Sequence, residues 1–414
     1  PIVINGCFNV VPMEAVTNKY FSEIVILLLG AELIALSWEE TGLDKRISLK
    51  ALCLIGPSMR QQVAVWFLVS ALLSTLLPNA VVCAVMVPIA ISMLKFIGEG
   101  EVRDSKTAPV ILASIAWGAG IGGLGTPLGG AMNLVAVEYI QQITSTEFMY
   151  LSWVKRLFPM LIIILTVNLI YLMMIRPKGA NLPGTKQYFN QLYGELHPMN
   201  SDEKISLLLF IIPVVLSFAR PLYLSILPGL KPAYAFLIFG MLTFVLFKKD
   251  GAPLLTWNTA EKNIIWGMLF LFAGGLAMGT LITQTGAADS IAALVSKLDL
   301  KGGLATIFVF VSFTVLLAEV SSNTAAAAIS VPIVISITRG LGLDPLPYIY
   351  ITAAAFNCAY IFPTSIRAIP VGYGLNPKYL FKNGFILTII GIITISLLGY
   401  VFMLIWPGFS SAGV

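Results

Sequence analysis

The stretch Ser321-Ser322-Asn323-Thr324, followed eight residues after the asparagine by Val331-Pro332-Ile333, decides the fold because much of it occurs twice in the chain. Subtracting 244 from the residue number gives the other copy. The pairs that share this offset are Gly30 and Gly274, Thr41-Gly42 and Thr285-Gly286, Asn79 and Asn323, Val87-Pro88-Ile89 and Val331-Pro332-Ile333, and Gly98 and Gly342. Apolar residues match freely by chance, but Gly, Pro, Asn and Thr-Gly do not match together. The sequence therefore predicts an internal duplication.

The composition around these two copies is that of a membrane protein. Hydrophobic residues make up 58% of the 414 residues and charged residues only 11%, against about 25% charged in an ordinary soluble domain. Apolar runs such as 20–38 and 385–406 can each cross a hydrocarbon core of about 30 Å as a helix. We therefore expect an all-α polytopic protein in the lipid bilayer, in the plasma (inner) membrane.

The positive charges predict how the two copies are oriented. With each Asn segment traced as a hairpin that returns to its own side, one side of the membrane collects Lys and Arg in a ratio of roughly two to one, which assigns it to the cytoplasm. The hairpins then open to opposite sides, as inverted repeats require. The predicted organisation begins with an N-terminal segment at 1–19, and its start at Pro1 is compatible with a truncated chain. A first repeat at 20–175 follows, with a hairpin at 63–97. A polar linker at 176–204 joins it to a second repeat at 205–414, which has a hairpin at 303–338.

Short arms predict that the hairpins are re-entrant. The apolar arm 63–77 gives only about 22 Å of helix, short of a full span. Pro78-Asn79-Ala80 interrupts it in the first copy, as the polar stretch 321–324 does in the second. Irregular backbone at membrane depth occurs only against protein or a water-filled cavity. The alternative is a full span kinked at Ser or Pro, with Asn as an interhelical hydrogen bond.

Each hairpin is followed by an apolar crossing with a weak centre. The first, 118–133, is rich in glycine and contains Thr126, Pro127, Gly129 and Asn133. The second, 357–370, contains Pro363, Thr364 and Ser365. Gly/Pro-interrupted segments at matching places in two halves are a sequence signal of a transport site. The alternative is that the glycines only permit close helix packing, which explains 118–123 better than 126–133.

At these residues the chain resembles the divalent anion/sodium symporter family, which carries dicarboxylates, citrate or sulfate. Ser322-Asn323-Thr324 matches the family's hairpin-tip motif fully, Pro78-Asn79-Ala80 keeps only its Asn, and the segment from Pro127 to Val135 fits a second family element. The resemblance covers roughly 20–406. It implies a homodimer with a scaffold and an elevator-type transport domain. It also implies that both Asn tips hold the substrate carboxylates, with sodium near Ser322, Asn323 and Thr324.

Arg367 departs from the family pattern. Aligned on Ala368-Ile369, it replaces the asparagine of the second broken crossing, whereas aligning on Pro363 shifts the register by two. A buried arginine is a functional candidate, and we interpret it as a fixed positive charge that takes the place of sodium. The alternatives are a side chain that snorkels to the interface and an ion pair with Glu319 or Glu32.

These observations favour a secondary transporter that exchanges C4 dicarboxylates or 2-oxoglutarate by an elevator mechanism. The alternative is a sodium-coupled dicarboxylate or citrate symporter, and a further alternative is a cation/proton or arsenite-type antiporter, which would prefer an acidic residue at a tip. We expect no enzyme activity, metal site or cofactor, because His197 is the one histidine and the four cysteines have no CxxC spacing. The scattered net charge of +5 argues against a nucleic-acid partner.

Overall fold

The computed structural model describes residues 1–286, 290 and 300–410, and within these the chain forms α-helices and short 3-10 turns and no β-strand. The all-α prediction is therefore confirmed. Within the described residues, five helical stretches are long and apolar enough to cross a membrane: Met13–Thr41, Asn79–Phe96, Ala108–Gly125, Tyr150–Ile175 and Pro377–Ile405. Helices Trp257–Asn263 and Trp266–Ile282 form a further apolar pair, bent by 58° at the break between them.

The first half and the predicted linker contain the helices α1 (Ile2–Phe8), α2 (Met13–Thr17), α3 (Glu23–Thr41), α4 (Leu43–Leu52), α5 (Met59–Ser74), α6 (Asn79–Phe96), α7 (Ala108–Gly122), α8 (Ala131–Thr144), α9 (Tyr150–Ile175) and α10 (Thr185–Gly194). The linker is thus partly helical. Its Phe189 is fully buried, with its ring 5.9 Å from that of Trp66 on α5.

The second half contains α11 (Ser201–Phe218), α12 (Arg220–Tyr223), α13 (Pro232–Leu242), α14 (Trp257–Asn263), α15 (Trp266–Gln284), α16 (Leu304–Val320), α17 (Asn323–Gly340), α18 (Pro345–Phe356), α19 (Ala368–Gly372) and α20 (Pro377–Ile405). The predicted second repeat, 205–414, includes residues 287–289, 291–299 and 411–414, which lie outside the described residues. The predicted N-terminal segment packs against α15 through Val11 and Val16.

The first predicted hairpin, α5 and α6, folds back on itself. Ser58 begins α5 by accepting a hydrogen bond from the Gln61 N–H at 3.3 Å, and Pro78, which has no N–H to donate, ends the break before α6. The start of α5 and the end of α6 both contact the linker. The Met59 N–H donates to the Ala180 carbonyl at 3.4 Å, and the ring of Phe96 lies 4.8 Å from that of Tyr188. The chain therefore enters and leaves this hairpin on the same side.

The second predicted hairpin, α16 and α17, has the same design. The Ser322 hydroxyl accepts from the Ala325 N–H at 3.1 Å and so begins α17. The two outer ends meet at Gly302, whose carbonyl accepts from the Tyr348 hydroxyl at 2.6 Å and beside which the Leu343 side chain packs. This chain segment also returns to the side from which it came.

The helix bounds at the two asparagines agree with the predicted duplication. Asn79 begins α6 and Asn323 begins α17, and both helices have 18 residues with an internal proline. Gly98 and Gly342 follow these helices with φ of 79° and 70°, a backbone conformation that glycine adopts without steric cost. That the two repeats have opposite orientations in the membrane remains a prediction.

Both crossings after the hairpins are broken, as their sequences predict. After α7 the chain makes 3-10 turns at Gly123–Gly125 and Pro127–Gly129 before α8. After α18 it stays irregular until the 3-10 turn Ser365–Arg367, which leads into α19. The close-packing alternative also holds for two glycines. A Cβ on Gly118 or Gly122 would collide with the α5 backbone at Phe67 or Ala71.

Candidate functional site

A cavity of about 470 Å³ lies where the two hairpin tips approach each other. Its remaining wall comes from α3, the α14–α15 bend and the two broken crossings. The predicted site residues that line it are Pro78, Asn79 and Ala80 from the first tip, Ser322, Asn323 and Thr324 from the second tip, and Ser365 from the second broken crossing. The structure thus brings both asparagines to one cavity, although they are far apart in sequence.

The two asparagines differ in environment. Asn323 is 3% exposed, and its side-chain oxygen Oδ1 has no hydrogen-bond partner in the structure. Thr324 beside it is also buried, whereas Asn79 is half-buried between Pro78 and Ala80. A buried amide oxygen without a hydrogen-bond donor can accept a hydrogen bond from a ligand or coordinate a cation. The second tip therefore offers more polar ligands than the first.

A threonine in each broken crossing holds the corresponding hairpin tip. The Thr126 hydroxyl donates to the Thr75 carbonyl at 2.5 Å, and the Thr364 hydroxyl donates to the Glu319 carbonyl at 3.2 Å. Thr75 and Glu319 share the offset of 244. Each threonine is extended and precedes a 3-10 turn. These contacts support the register in which Arg367 occupies the third position of that turn, where the first half has Gly129.

Asn133 and Asn357 join the two broken crossings behind the cavity. The Asn133 side-chain amide donates to the carbonyls of Gly123 at 2.6 Å and Thr126 at 2.9 Å, and its Oδ1 accepts from the Asn357 amide at 2.9 Å. Both asparagines are fully buried. Asn133 therefore positions the irregular backbone of the first crossing and does not line the cavity.

Several other predicted site residues also lie outside the cavity wall. They are Thr126, Pro127, Gly129, Pro363, Thr364 and Arg367. Gly129 is close to the Ser74 and Gly123 backbones, and a Cβ there would collide with both. Thr126 and Thr364 contact the tips, as described above, and Arg367 donates to Ala318 near the end of the second tip's first arm.

Arg367 is buried at the second tip, with 1% of its side chain exposed. Its guanidinium donates to the carbonyls of Phe362 at 2.7 Å, Ala359 at 3.0 Å and Ala318 at 3.2 Å, and to the Thr364 hydroxyl at 2.7 Å. Four of the five N–H donors of the guanidinium are thereby used within the protein. Arg367 is not among the described residues that line the cavity, and its role in place of sodium stays a prediction.

Glu319 accounts for this position of Arg367. Its carboxylate lies 3.9 Å from the guanidinium, and it accepts from the N–H groups of Tyr360 at 2.6 Å and Ile361 at 2.8 Å and from the Thr388 hydroxyl at 2.8 Å. A buried arginine needs a compensating charge and hydrogen bonds. Of the alternatives open for Arg367, the pair with Glu319 is the one that the structure contains.

Acidic residues are the charged groups that sequence reasoning did not place at the site. Glu32 and Glu39 of α3 line the cavity, and none of the described lining residues is Lys, Arg or His. Glu32 stands within an apolar run, which marks it as unusual, but the sequence gives no sign of which helix it faces. The bend between α14 and α15 brings Ile265 to it.

A polytopic helical protein with a cavity between two hairpin tips has the arrangement that is typical of membrane transporters. Comparison with known families defines the class further. The citrate transporter family model (CitMHS) matches residues 1–355. The chain belongs to this family, and the predicted divalent anion/sodium symporter type is confirmed.

Individual relatives and one solved structure agree with this assignment. The chain is 26% identical over 417 residues to the sodium-dependent dicarboxylate transporter SdcS of Staphylococcus saprophyticus, covering 97% of this chain and 80% of that protein. It is 27% identical over 420 residues to SdcS of Staphylococcus aureus strain MSSA476, covering 97% and 81%. The crystal structure of the YdaH transporter of Alcanivorax borkumensis superimposes with a TM-score of 0.58 at 15% identity, covering 95% of this chain and 88% of that one. This last likeness shows the fold.

Proposed function

We propose that this protein is a secondary transporter that moves dicarboxylate anions together with sodium, with the cavity between the hairpin tips as the substrate site. The observation that carries the proposal is the cavity wall. It contains both tip asparagines, while no described lining residue carries a positive charge. A dianion that leaves water needs compensating charge. In this cavity that charge comes from cations in solution.

The second tip supplies the ligands that a sodium ion needs. Ser322, Asn323 and Thr324 place hydroxyl and amide oxygens at the cavity wall, and the Asn323 Oδ1 has no donor. Unwound backbone and helix ends at such breaks coordinate sodium in transporters. The relatives named sodium-dependent dicarboxylate transporters support the same reading.

The structure gives less support to the exchange reading favoured by sequence analysis. That reading needs an arginine whose charge faces the substrate, and Arg367 is instead paired with Glu319. It also gives little support to a cation/proton or arsenite-type antiporter. The acids that line the cavity, Glu32 and Glu39, lie on α3 and not at a tip. Glu319 at the second tip is paired with Arg367 and is not a lining residue.

The assembly and the motion follow from the family resemblance. We propose a homodimer in the plasma membrane in which the tips and broken crossings move as a transport domain against a scaffold that includes α3. Support comes from the contacts that tie each tip to its broken crossing, at Thr126 and Thr364. Cross-linking in native membranes tests the dimer and should produce a band of twice the monomer mass. If every cross-linker concentration yields the monomer alone, the proposed dimer is contradicted.

Uptake into proteoliposomes tests the proposed function. With an inward sodium gradient and no internal anion, labelled succinate should accumulate, and replacement of sodium by potassium should abolish accumulation. Citrate, 2-oxoglutarate and sulfate added as competitors define the substrate class. Uptake that needs internal dicarboxylate and ignores sodium overturns the proposal in favour of exchange.

A further inference from the structure

Glu32 is a buried carboxylate at the cavity wall without a counter-charge. It is 7% exposed and lines the cavity from the middle of α3. One oxygen, Oε2, accepts from the Ile265 N–H at 3.2 Å, at the break before α15. The other oxygen, Oε1, is buried and has no hydrogen-bond partner among the described residues. A buried carboxylate oxygen without a hydrogen-bond partner is stabilised when it binds a ligand or a proton.

The charged groups on neighbouring elements leave Glu32 unpaired. Glu39, two turns along α3, is exposed at the cavity edge and adds negative charge. Glu138 on α8 lies 3.6 Å from Lys19 and Glu203 on α11 lies 2.7 Å from Arg46, so those four groups are already matched.

The remaining neighbours of α3 offer no cation to Glu32 either. Glu261 and Lys262 on α14 are exposed, as are Lys45 and Lys50 on α4, while Asp44 on α4 is half-buried. On α13, Tyr234 donates to Glu23, far along α3 from Glu32. The described part of α15 contains no charged residue.

An ionised Glu32 and a dicarboxylate cannot share this cavity favourably. The unpaired charge is destabilised by burial, and a dianion beside it adds repulsion. A protonated carboxyl group is neutral, and its O–H is a hydrogen-bond donor that a substrate carboxylate can accept. Protonation thus turns a repelling group into a ligand.

We propose that Glu32 binds a proton when a dicarboxylate occupies the cavity and donates that proton as a hydrogen bond to the substrate. This inference rests on the proposed function. Because linkage is reciprocal, protonation of Glu32 raises the affinity for the anion, and the bound anion raises the affinity of Glu32 for the proton. Apparent substrate affinity therefore falls as the pH rises.

The test is the KM for fumarate in proteoliposomes at a series of pH values from 6 to 9, equal on both sides, under a constant sodium gradient. Fumarate stays fully dianionic over this range, so the titration of the substrate does not contribute. In the wild type we expect the slope of KM against pH to increase until it approaches tenfold per pH unit at the alkaline end. This limiting slope follows if binding requires one proton on the protein. In Glu32→Gln, whose amide cannot titrate, we expect a KM that is independent of pH.

Two controls separate this role from a structural one. Gln at position 32 still accepts from the Ile265 N–H, so a purely structural Glu32 predicts an unchanged pH profile in Glu32→Gln. Glu39→Gln removes the other cavity acid and should keep the wild-type slope. A flat wild-type profile, or a wild-type slope in Glu32→Gln, overturns the inference.

Infrared spectroscopy of the purified protein gives a readout that does not need transport. Lowering the pH in the presence of fumarate should produce a protonated-carboxyl band in the wild type and in Glu39→Gln that Glu32→Gln lacks. If no dicarboxylate is transported, the proposed function fails, and this band still decides whether Glu32 takes up a proton. Its absence from the wild-type difference spectrum overturns the inference.

Discussion

The side chains of Glu319 and Arg367 show how one buried pair organises the second half of the site. Glu319 accepts from the backbone N–H groups of Tyr360 and Ile361, which lie in the irregular part of the broken crossing. Arg367 donates to carbonyls on both sides of that segment and to Ala318 on α16. Together they satisfy backbone groups that a regular helix would have paired internally.

Removing one member of this pair should destabilise the protein strongly. In Glu319→Gln the guanidinium of Arg367 remains buried without a counter-charge, which costs about 3–5 kcal/mol. The double variant Glu319→Leu with Arg367→Met should not recover that loss. It removes both charges, but it also leaves the buried N–H groups of Tyr360 and Ile361 and the carbonyls that Arg367 binds without partners. Thermal unfolding of the purified protein in detergent measures both effects.

A matched ion pair near the surface provides the control. Glu23 and Lys231 lie 2.7 Å apart, with 38% and 37% of their side chains exposed. Glu23→Gln should therefore change stability by at most about 1 kcal/mol. Equal losses in Glu23→Gln and Glu319→Gln would contradict the importance of burial for the inner pair.

Asn323 should matter for substrate or sodium affinity more than Asn79. Replacing it by Ala removes an unpartnered oxygen and an amide at the cavity wall. For a hydrogen bond to a charged group we expect KM for succinate to rise about tenfold to a hundredfold. Asn79→Ala, at the half-buried tip, should have a smaller effect.

Uptake kinetics at fixed sodium measure this difference. The exposed Asn190 on the linker helix gives the control, since Asn190→Ala removes the same group far from the cavity wall. A wild-type KM in Asn323→Ala would exclude that residue from the site.

Sequence reasoning located the site residues that carry a repeat signal, and it missed those that do not. Asn79 and Asn323 were found because they recur at one offset, and the cavity joins them. Arg367 was recognised as an unusual charge in an apolar segment. Which acid it pairs with could not be predicted, because tertiary packing and not sequence spacing brings Glu319 to it. Glu32 has no counterpart in the second copy, where Leu276 stands, so the duplication gave no indication of its role.

At the scale of elements, glycines set the distance between α5 and α7. Gly118 and Gly122 are one helical turn apart on α7, and each faces α5 backbone. Gly122→Ala should lower stability by about 1–3 kcal/mol or more, because the added methyl group collides with the Ala71 backbone and forces the helices apart. The check is thermal unfolding together with uptake rate, since α7 leads into the first broken crossing.

The control for this prediction is Gly100→Ala. A Cβ at Gly100 meets nothing within 4 Å, so the change should stay within about 0.5 kcal/mol. If Gly122→Ala proves as harmless as Gly100→Ala, close packing of α5 and α7 is not needed for stability.

The helix ends were predictable where capping or helix-breaking residues occur in the sequence. Pro78, Ser322 and the cap glycines mark the helix ends that the structure shows. The arms of the first hairpin differ by a few residues from prediction: the structure has Met59–Ser74 in place of 63–77, because Ser58 caps α5 earlier than the apolar pattern begins. Apolar pattern alone does not show such a polar first turn.

At the scale of the whole molecule, substrate and sodium should stabilise the fold jointly. A ligand at a hundred times its Kd raises the free energy of unfolding by about 2.7 kcal/mol. Succinate should raise the unfolding temperature in sodium chloride and not in choline chloride, because none of the described residues that line the cavity carries a positive charge. Differential scanning fluorimetry measures this shift.

Two results bear on this prediction. Asn323→Ala should reduce the shift in sodium without abolishing folding. If succinate raises the unfolding temperature in choline chloride as much as in sodium chloride, binding does not depend on sodium. The compensating charge would then have to come from the protein.

The pairing of Glu319 with Arg367 also has a consequence for the proposed motion of the second tip in the membrane potential. Both charges lie at the second tip, 3.9 Å apart, so any displacement of the tip carries them together and moves no net charge. The field acts on each uncompensated charge with about 2.3 kcal/mol per 100 mV. A voltage step should therefore evoke no transient current from Glu319 and Arg367 themselves.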